Sequence, residues 1–505
     1  MIRTESELFP KFTAEIEEIR KNGITEDLLN KIINKHLPNA LYNKNLYKRY
    51  EAIAGGVPIF DRQPKYEEEK DPINNKVNND FFGEIVDFKV GYFAGSPATY
   101  SYSVGDEVEE VTGGEEAVKE ASKALTDFTT RTNMYGVDME TTKNASIYGY
   151  SGRLFYHDKE GNEQAMAIHG FETIPLSDTN ISEPEFAVRY YPSTDINGVE
   201  HWNAEFYDDT YRYVFKGQIG AFSFVEKSPH DFDYCPLQGV ANNNECLGDA
   251  EKVLALIDDY DKNVSDNSNE IEAFVHAMLL ANLNVDDDTI EKAQKSGMLI
   301  VPPTGAQTNN DPVKWVTKNI NDTFTEHHLE RLENNIYRFS KTPNMNDDAF
   351  SSASGIALKF RLHGLETKCA TFEANMMNAE QHMWKVLCSS WAKRGIKVDP
   401  LYCCVDFVRN FPLDTLSEAQ TAQAQIAAGL PKRWVYSHMS SVDDVDAIMD
   451  MIADEKEEIA ELYPNLPINT PNDDDNADGD GDTKDNDPNK DDKKDDKKGG
   501  ENSEE

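Results

Sequence analysis

The sequence contains no long apolar segment. Its longest uninterrupted apolar runs, such as residues 277–281, are short, well below the roughly 18 residues that a membrane-spanning helix needs. Residues 1–6 do not begin an apolar stretch of the kind found in a secretory signal. The sequence therefore predicts a cytosolic origin and no membrane partner.

Cysteines are few, and the motifs of common enzyme classes are missing. The six cysteines form no C-x-x-C pair, and Cys403 and Cys404 are adjacent, which favours reduced thiols over disulfides or zinc. We find no phosphate-binding loop, dinucleotide-binding glycine motif, nucleophile elbow or H-E-x-x-H. His327 and His328 are neighbours on a predicted helix and diverge by about 100°. We expect no catalytic residue, cofactor or metal in the body of the chain, and no enzymatic activity.

Positive charge is also scarce. The net charge is −42, and residues 469–505 contribute −9 from 15 acidic and 6 basic side chains, which leaves −33 on the body. Affinity for nucleic acid comes mostly from Lys and Arg that neutralise phosphates, so tight DNA binding is unfavourable. A surface that DNA slides past is still compatible with this charge, and so is a simple role in solubility.

The C-terminal tail is polar and contains one metal-like pattern. Residues 469–505 have almost no apolar side chains, which predicts disorder. Oxygen-bearing residues follow calcium-loop spacing, with glycine at the sixth position, at Asp474, Asn476, Asp478, Asp480 and Asp485. No amphipathic helix flanks the pattern and its last ligand is Asp rather than Glu, so it is a weak calcium candidate that an acidic tail produces by chance.

The strongest pattern is an apolar stripe whose spacing averages 3.5 residues. Its members are Leu358, Leu362, Leu365, Cys369, Phe372, Met376, Ala379, Met383 and Val386. This spacing predicts one apolar side on a helix over residues 355–391, about 55 Å long, that faces another helix or a neighbouring subunit. A second amphipathic helix is predicted over residues 323–341, and a polar loop with Pro and Gly joins the two.

The rest of the chain alternates between helical and strand patterns. Residues 1–65 predict helices, as do residues 117–133 and 248–263. Alternating apolar residues predict strands over residues 165–169, 185–191, 202–207 and 211–215, with a hairpin turn at Asn197 and Gly198. A small α/β unit is predicted from strands at 278–283 and 298–301 and a helix at 287–294. A further strand at 402–409 precedes short helices over 416–456, so the fold class is α+β.

Four segments, in this order, resemble the portal proteins of tailed bacteriophages with long noncontractile tails. Residues 89–97 are similar to the family's Lys-x-x-Tyr-x-x-Gly-x-Pro stretch, and residues 256–261 to the helix that enters its stem. Residues 354–365 resemble the Gly-x-Ala-Leu-Lys-aromatic segment that opens its long helix, and residues 407–412 the strand that follows. The resemblance covers roughly residues 40–460.

The resemblance implies a portal fold with named parts. These are a wing at 1–247 with a return strand at 395–414, stem helices at 248–275 and 313–341, a small α/β clip at 276–312, a tunnel loop at 342–354, a long kinked helix at 355–394, a helical crown at 415–463 and a disordered acidic tail at 464–505.

The resemblance also implies a function, namely a homododecameric ring at a capsid vertex of the virion, assembled in the host cytoplasm, through which double-stranded DNA is packaged and ejected. Its partners would be terminase, the head–tail connector, and the major capsid and scaffolding proteins. The DNA channel would be lined by Lys341, Asn344, Asn346, Asp347, Asp348, Ser351, Ser352, Gly355, Lys359 and Arg361. The subunit interface would contain Leu358, Leu362, Leu365, Phe372, Met376 and Met383.

Two other classes of protein stay open at this point. A coiled-coil scaffold or other structural protein without a DNA channel explains the heptad spacing, but it leaves the β-rich residues 75–225 without a purpose. A metal-dependent enzyme explains the acid content, but no carboxylate or histidine cluster outside the tail has ligand spacing.

Overall fold

The structure is a computed structural model that describes residues 3–64, 73–104, 114–275, 279–281, 298–300, 313–315, 322–345, 355–410 and 415–437, with a few further residues up to 453. The chain divides into two compact units, Met1–Pro412 and Leu413–Glu505. The described residues form both helices and sheets, as the predicted α+β class requires.

Eight α-helices are described in the first unit. They are α1 (Thr13–Asn22), α2 (Glu26–Tyr50), α3 (Phe81–Ala94), α4 (Glu115–Thr132), α5 (Met134–Tyr148), α6 (Leu254–Val275), α7 (Asp322–Ser340) and α8 (Gly355–Lys393). The predicted helices at 117–133, 323–341 and 355–391 are confirmed as α4, α7 and α8. With 39 residues, α8 is about 58 Å long.

A five-stranded antiparallel sheet is the largest sheet in the described residues. Its order is β4-β5-β6-β7-β8, formed by Thr173–Leu176, Phe186–Thr194, Glu200–Tyr207, Tyr211–Gln218 and Ala221–Pro229. The predicted strands at 185–191, 202–207 and 211–215 are confirmed as β5, β6 and β7. The predicted turn between β5 and β6 is present. Gly198 has a φ of 80°, and its N–H donates to the Asp195 carbonyl at 3.0 Å.

A second sheet lies closer to α8 and has the order β3-β2-β9. Its strands are β2 (Tyr150–His157), β3 (Glu163–His169) and β9 (Leu237–Ala241). The predicted strand at 165–169 belongs to β3. A two-stranded sheet pairs β1 (Thr99–Tyr102) with β13 (Cys403–Asp406), which contains part of the strand predicted at 402–409.

Three short strands form a small separate sheet between α6 and α7 in the chain. They are β10 (Leu279–Ala281), β11 (Met298–Ile300) and β12 (Val313–Trp315), with β10 parallel to β11 and antiparallel to β12. The strands predicted at 278–283 and 298–301 are thus present, while the helix predicted at 287–294 lies outside the described residues.

The second unit contains two described helices, α9 (Thr415–Ala427) and α10 (Lys432–Tyr436). They are separated at Gly429, whose φ of 90° suits a helix C-terminus. The tail from residue 454 onward, with the calcium candidate, lies outside the described residues.

The apolar stripe of α8 is covered by the same chain. Leu362, Leu365, Phe372 and Met376 pack with Phe93 and other residues of α3, α5 and β9, and Met383 packs with α4, α5 and β2. All five stripe residues are at most 5% exposed in the single chain. These side chains are buried within their own chain, which argues against the predicted subunit interface at these positions. The assignment of an interface stays a prediction. Leu358 is half-buried at the edge of the same cluster.

Candidate functional site around the long helix

The junction between α7 and α8 is the segment that the sequence assigns to a DNA channel. Helix α7 ends at Ser340, Lys341 has a left-handed φ of 60°, and α8 starts at Gly355. The predicted channel residues Asn346, Asp347, Asp348, Ser351 and Ser352 lie outside the described residues.

The described flanks of this junction lie against α8. The amide nitrogen of Asn344 donates to the Glu333 carboxylate at 3.0 Å. The Lys368 ammonium donates to the Ser340 carbonyl at 2.8 Å, which ties the end of α7 to the middle of α8. Gly364 of α8 lies beside this turn, since a Cβ added there would be in ordinary van der Waals contact with the Cβ of Lys341, at 3.5 Å.

Three predicted cationic contacts are exposed at this junction. Lys341 lies directly after α7, while Lys359 and Arg361 lie in the second turn of α8. Their side chains are accessible to a polyanion. The assignment of these residues to a channel stays a prediction.

A buried ionic network fixes the middle of α8. Arg153 of β2 is completely buried and contacts Asp138 at 2.8 Å and Glu380 of α8 at 2.5 Å. The Tyr100 hydroxyl donates to the second Asp138 oxygen at 2.5 Å. Burial, together with the nearby charge of Glu380, raises the pKa of Asp138 to about 7, against the opposing effect of Arg153. One buried guanidinium therefore pairs with two buried carboxyl groups.

A second network fixes the first half of α8. The Asp249 carboxylate lies between Lys89 at 2.9 Å and Lys368 at 3.0 Å. Burial alone would raise the pKa of Asp249, but the two ammonium groups hold it well below its usual range. Nearby, Arg409 pairs with Glu366 at 3.1 Å and Glu373 at 2.5 Å.

The C-terminal end of α8 is held in the same way. The Ser390 hydroxyl donates to Glu163 at 2.7 Å and lies 3.0 Å from the His157 ring, and Arg394 forms an ion pair with Glu163. The His382 ring nitrogen donates to the Cys235 carbonyl at 2.9 Å. Polar contacts from Glu366 to Ser390 thus seat α8 on the body of its own chain.

The opposite side of α8 carries no exposed charge over four turns. We call this set of residues the outward face of α8. It comprises Thr367, Ala370, Thr371, Ala374, Met377, Asn378 and Gln381. The charged residues within the same stretch, Lys368, Glu373 and Glu380, are all paired with other parts of the chain.

The sequence analysis missed this outward face and the partners that anchor α8. The face has a helical spacing of three and four residues, but its small polar residues and single Met do not stand out beside the apolar stripe. Arg153 carries a weak signal, since a lone charge within an apolar segment is buried only when it is paired. Asp249 lies among other charged residues and carries no such signal. Their partners lie far away in sequence, so the pairing is visible only in the fold.

The described residues contain no group of three or more His, Cys, Asp or Glu side chains arranged to hold a metal. His327 contacts Glu330 at 3.6 Å, whereas His328 contacts Asp259 at 3.5 Å, so the two rings point to different partners. Within the same part of the chain, no helix is both long and apolar enough to cross a membrane.

Comparison with known proteins gives two matches that agree. The family model described as phage portal protein, SPP1 Gp6-like, matches residues 29–462 and therefore reaches into both compact units. A protein named portal protein from Clostridium phage phiCD119 is 22% identical over 437 residues, which cover 82% of this chain and 91% of that protein.

Proposed function

Because this chain belongs to the SPP1 Gp6-like family of phage portal proteins, we propose that its copies form a closed ring through which double-stranded DNA is packaged and ejected. The ring would have twelve subunits, as the resemblance implies, and would occupy a capsid vertex of the virion after assembly in the host cytoplasm. The observation that carries this proposal is the family match over residues 29–462.

The outward face of α8 supports the ring physically. In a closed ring each subunit makes a heterologous contact with the next, so one surface of every subunit is covered. A helix surface without charge, in a chain where 28% of residues are charged, suits burial better than exposure, because a charged side chain must be paired when it loses water. We propose the C-terminal half of this face, with Ala374, Met377, Asn378 and Gln381, as part of the subunit interface in place of the buried stripe.

The net negative charge of the body favours DNA that slides past the protein over DNA that binds it tightly. Each firm contact with a phosphate must break as DNA advances, and net negative subunits around a polyanion favour repulsion. Lys341, Lys359 and Arg361 would supply limited contacts beside the tunnel loop at 342–354. A terminase would supply the work of packaging, and the head–tail connector, the major capsid protein and scaffolding proteins would bind the outside of the ring.

The described elements suggest where the parts of a portal lie. We assign β2 to β9 and the helices before them to the wing, α6 and α7 to the stem, and the sheet of β10, β11 and β12 to the clip. Because β12 begins at Val313 and α7 at Asp322, this clip extends beyond the predicted bounds 276–312, and the second stem helix starts later than the predicted residue 313. Helix α8 would lie behind the tunnel loop, and α9 and α10 would belong to the crown. The coiled-coil alternative loses its main support, because the heptad stripe is covered by the chain itself.

The test is DNA packaging by heads that contain a variant chain. Ala374→Glu places a charge on the outward face of α8, and Ala221→Glu places the same charge on an exposed position of β8. We expect Ala374→Glu to reduce ring formation and the amount of nuclease-resistant DNA, and Ala221→Glu to leave both unchanged. Normal packaging with Ala374→Glu would exclude the proposed interface, and normal packaging without the chain would exclude the portal function.

A further inference from the structure

We propose that a cavity at the end of α7 binds a phosphate group of the DNA backbone, an assignment that rests on the proposed portal function. The cavity has a volume of about 230 Å³ and lies between the C-terminal end of α7, the segment that leads into α6, and α8. Its lining includes four lysines, namely Lys89, Lys252, Lys341 and Lys368. It is large enough for a phosphate group together with several waters, which occupy about 30 Å³ each.

The buried floor of the cavity has an excess of positive charge. Lys89 and Lys368 share the single carboxylate of Asp249, at 2.9 and 3.0 Å. The Lys89 ammonium also donates to the Asn242 side chain and lies 4.6 Å from the centre of the Phe372 ring. These contacts fix the two ammonium groups, and one of their two positive charges is not compensated by Asp249.

The rim adds two exposed lysines and one carboxylate. Lys252 and Lys341 are exposed, and neither has an ion-pair partner among the residues that the structure describes. Glu245 is the other acidic residue of the lining. Four lysines and two carboxylates leave the cavity net positive, in a chain whose net charge is −42. Such a local reversal of sign attracts an anion.

The backbone of Lys341 gives an independent reason to assign it a role. Its φ of 60° is uncommon for a residue with a side chain, and the position directly after a helix is one that glycine usually takes. Backbone strain of this kind clusters at functional sites.

DNA fits this cavity better than a carboxylate of the neighbouring subunit. Lys341 directly precedes residues 342–354, the proposed tunnel loop, so its ammonium group is near the path proposed for DNA. The two lysines at the rim are exposed, so their long side chains can release a phosphate by changing rotamer, as translocation requires. A single weak site of this type would hold DNA briefly without stopping it.

The test uses assembled rings of the full chain and a DNA duplex of about 30 base pairs, with binding followed by fluorescence anisotropy at about 50 to 200 mM salt. The variants are Lys252→Ala combined with Lys341→Gly, and the charge-retaining Lys341→Arg. The control is Lys216→Ala, at an exposed position of β7. Lys341→Gly keeps the backbone conformation, so it should fold. We expect the double variant to bind DNA at least about fivefold more weakly with a shallower salt dependence, and the other two to match the wild type.

Each other result overturns the proposal. Double-variant rings that bind DNA as tightly as the wild type would remove the site and leave the portal function intact, provided that heads with these rings package DNA. Loss of rings in the double variant alone would assign the cavity to a carboxylate of the neighbouring subunit. Inorganic phosphate that raises the wild-type melting temperature without competing with DNA would assign it to a free anion. Absence of rings in the wild type would contradict the portal function, and the site would fall with it.

Discussion

The left-handed backbone of Lys341 is visible in the structure but could not be predicted from the sequence. Its side chain belongs to a Lys-Thr-Pro segment that looks like an ordinary helix end, and the sequence analysis chose it only as a cation near a loop. Its left-handed backbone appears only in the fold, where Gly364 lies beside it and the Lys368 ammonium donates to the Ser340 carbonyl. These contacts come from a helix that follows later in the chain.

We predict that Lys341→Gly stabilises the chain. Glycine adopts a φ of 60° without the steric cost that a side chain incurs, and we expect a gain of about 0.5 to 1 kcal/mol in the free energy of unfolding, measured with urea. The control is Lys359→Gly in α8, which should cost about 1 kcal/mol because glycine is a poor helix former. A loss of stability with Lys341→Gly would mean that the lysine side chain holds the helix end together.

We predict that Asp138 makes stability depend on pH. With its pKa raised to about 7 in the folded chain and near 3.9 when unfolded, the folded state keeps a proton that the unfolded state has lost. Stability therefore decreases as pH rises from about 4 to 7, by at most about 1.4 kcal/mol per pH unit.

Urea unfolding of wild type and Asp138→Asn at several pH values tests this. Since asparagine does not titrate, stability of the variant relative to wild type should rise as pH increases from 5 to 7. Parallel curves for the two chains would show that Arg153 keeps Asp138 ionised throughout.

At the level of single elements, the apolar pattern of α8 predicted the helix but not its packing partners. The 3.5-residue spacing gave the helix and its bounds to within a few residues, because an apolar stripe must lie on one side of a helix. The spacing does not show which residues pack against the stripe. Helices α3, α4 and α5 and strands β2 and β9 of the chain itself bury the stripe, whereas the sequence analysis assigned most of it to a neighbouring subunit.

Strands β5, β6 and β7, in which apolar and polar residues alternate, were predicted, whereas fully buried strands were missed. β5, β6 and β7 contain alternating apolar and polar residues, so their positions were predicted from the sequence. β4 and β9 are buried at every position, and β2 is buried over its first six residues. Burial on both faces removes the alternation that identifies a strand, and neither β4, β9 nor β2 was predicted.

Met376 and Met377 provide a matched pair on the two sides of α8. Met376 is fully buried and Met377 is 40% exposed. We predict that Met376→Ala lowers the stability of the monomer by about 2 to 5 kcal/mol, since it leaves a cavity. Met377→Ala should change it by less than about 0.5 kcal/mol and should weaken assembly instead.

Urea unfolding of dilute monomer and sedimentation of concentrated protein distinguish the two effects. If Met377→Ala assembled at the same concentration as wild type, the outward face of α8 would not be a subunit contact. If Met376→Ala were as stable as wild type, α8 would not be seated on the chain in the way described.

At the scale of the whole molecule, the family was predicted from four short segments, and the match over residues 29–462 confirms it. The order of the segments carried the prediction, since each one alone is short. The channel residues were assigned by resemblance only, and most of those in the loop lie outside the described residues. The net charge of the chain indicated that DNA is not bound tightly, but it did not indicate where DNA passes.

We predict that residues 469–505 are dispensable for folding. The segment has 15 acidic and 6 basic side chains and almost nothing apolar to bury. Its deletion should leave the melting temperature nearly unchanged, both with calcium and with a chelator. A calcium-dependent rise in melting temperature that disappears on deletion would instead establish a calcium loop at residues 474–485.

The central claim is that copies of this chain enclose a channel for DNA. Electron microscopy of the purified full-length protein, at concentrations where sedimentation shows complete assembly, tests it most directly. We expect closed rings with rotational symmetry, twelvefold in the virion, and a central hole wide enough for a DNA duplex. Monomers at every concentration, open fibres, or compact particles without a central hole would contradict the claim.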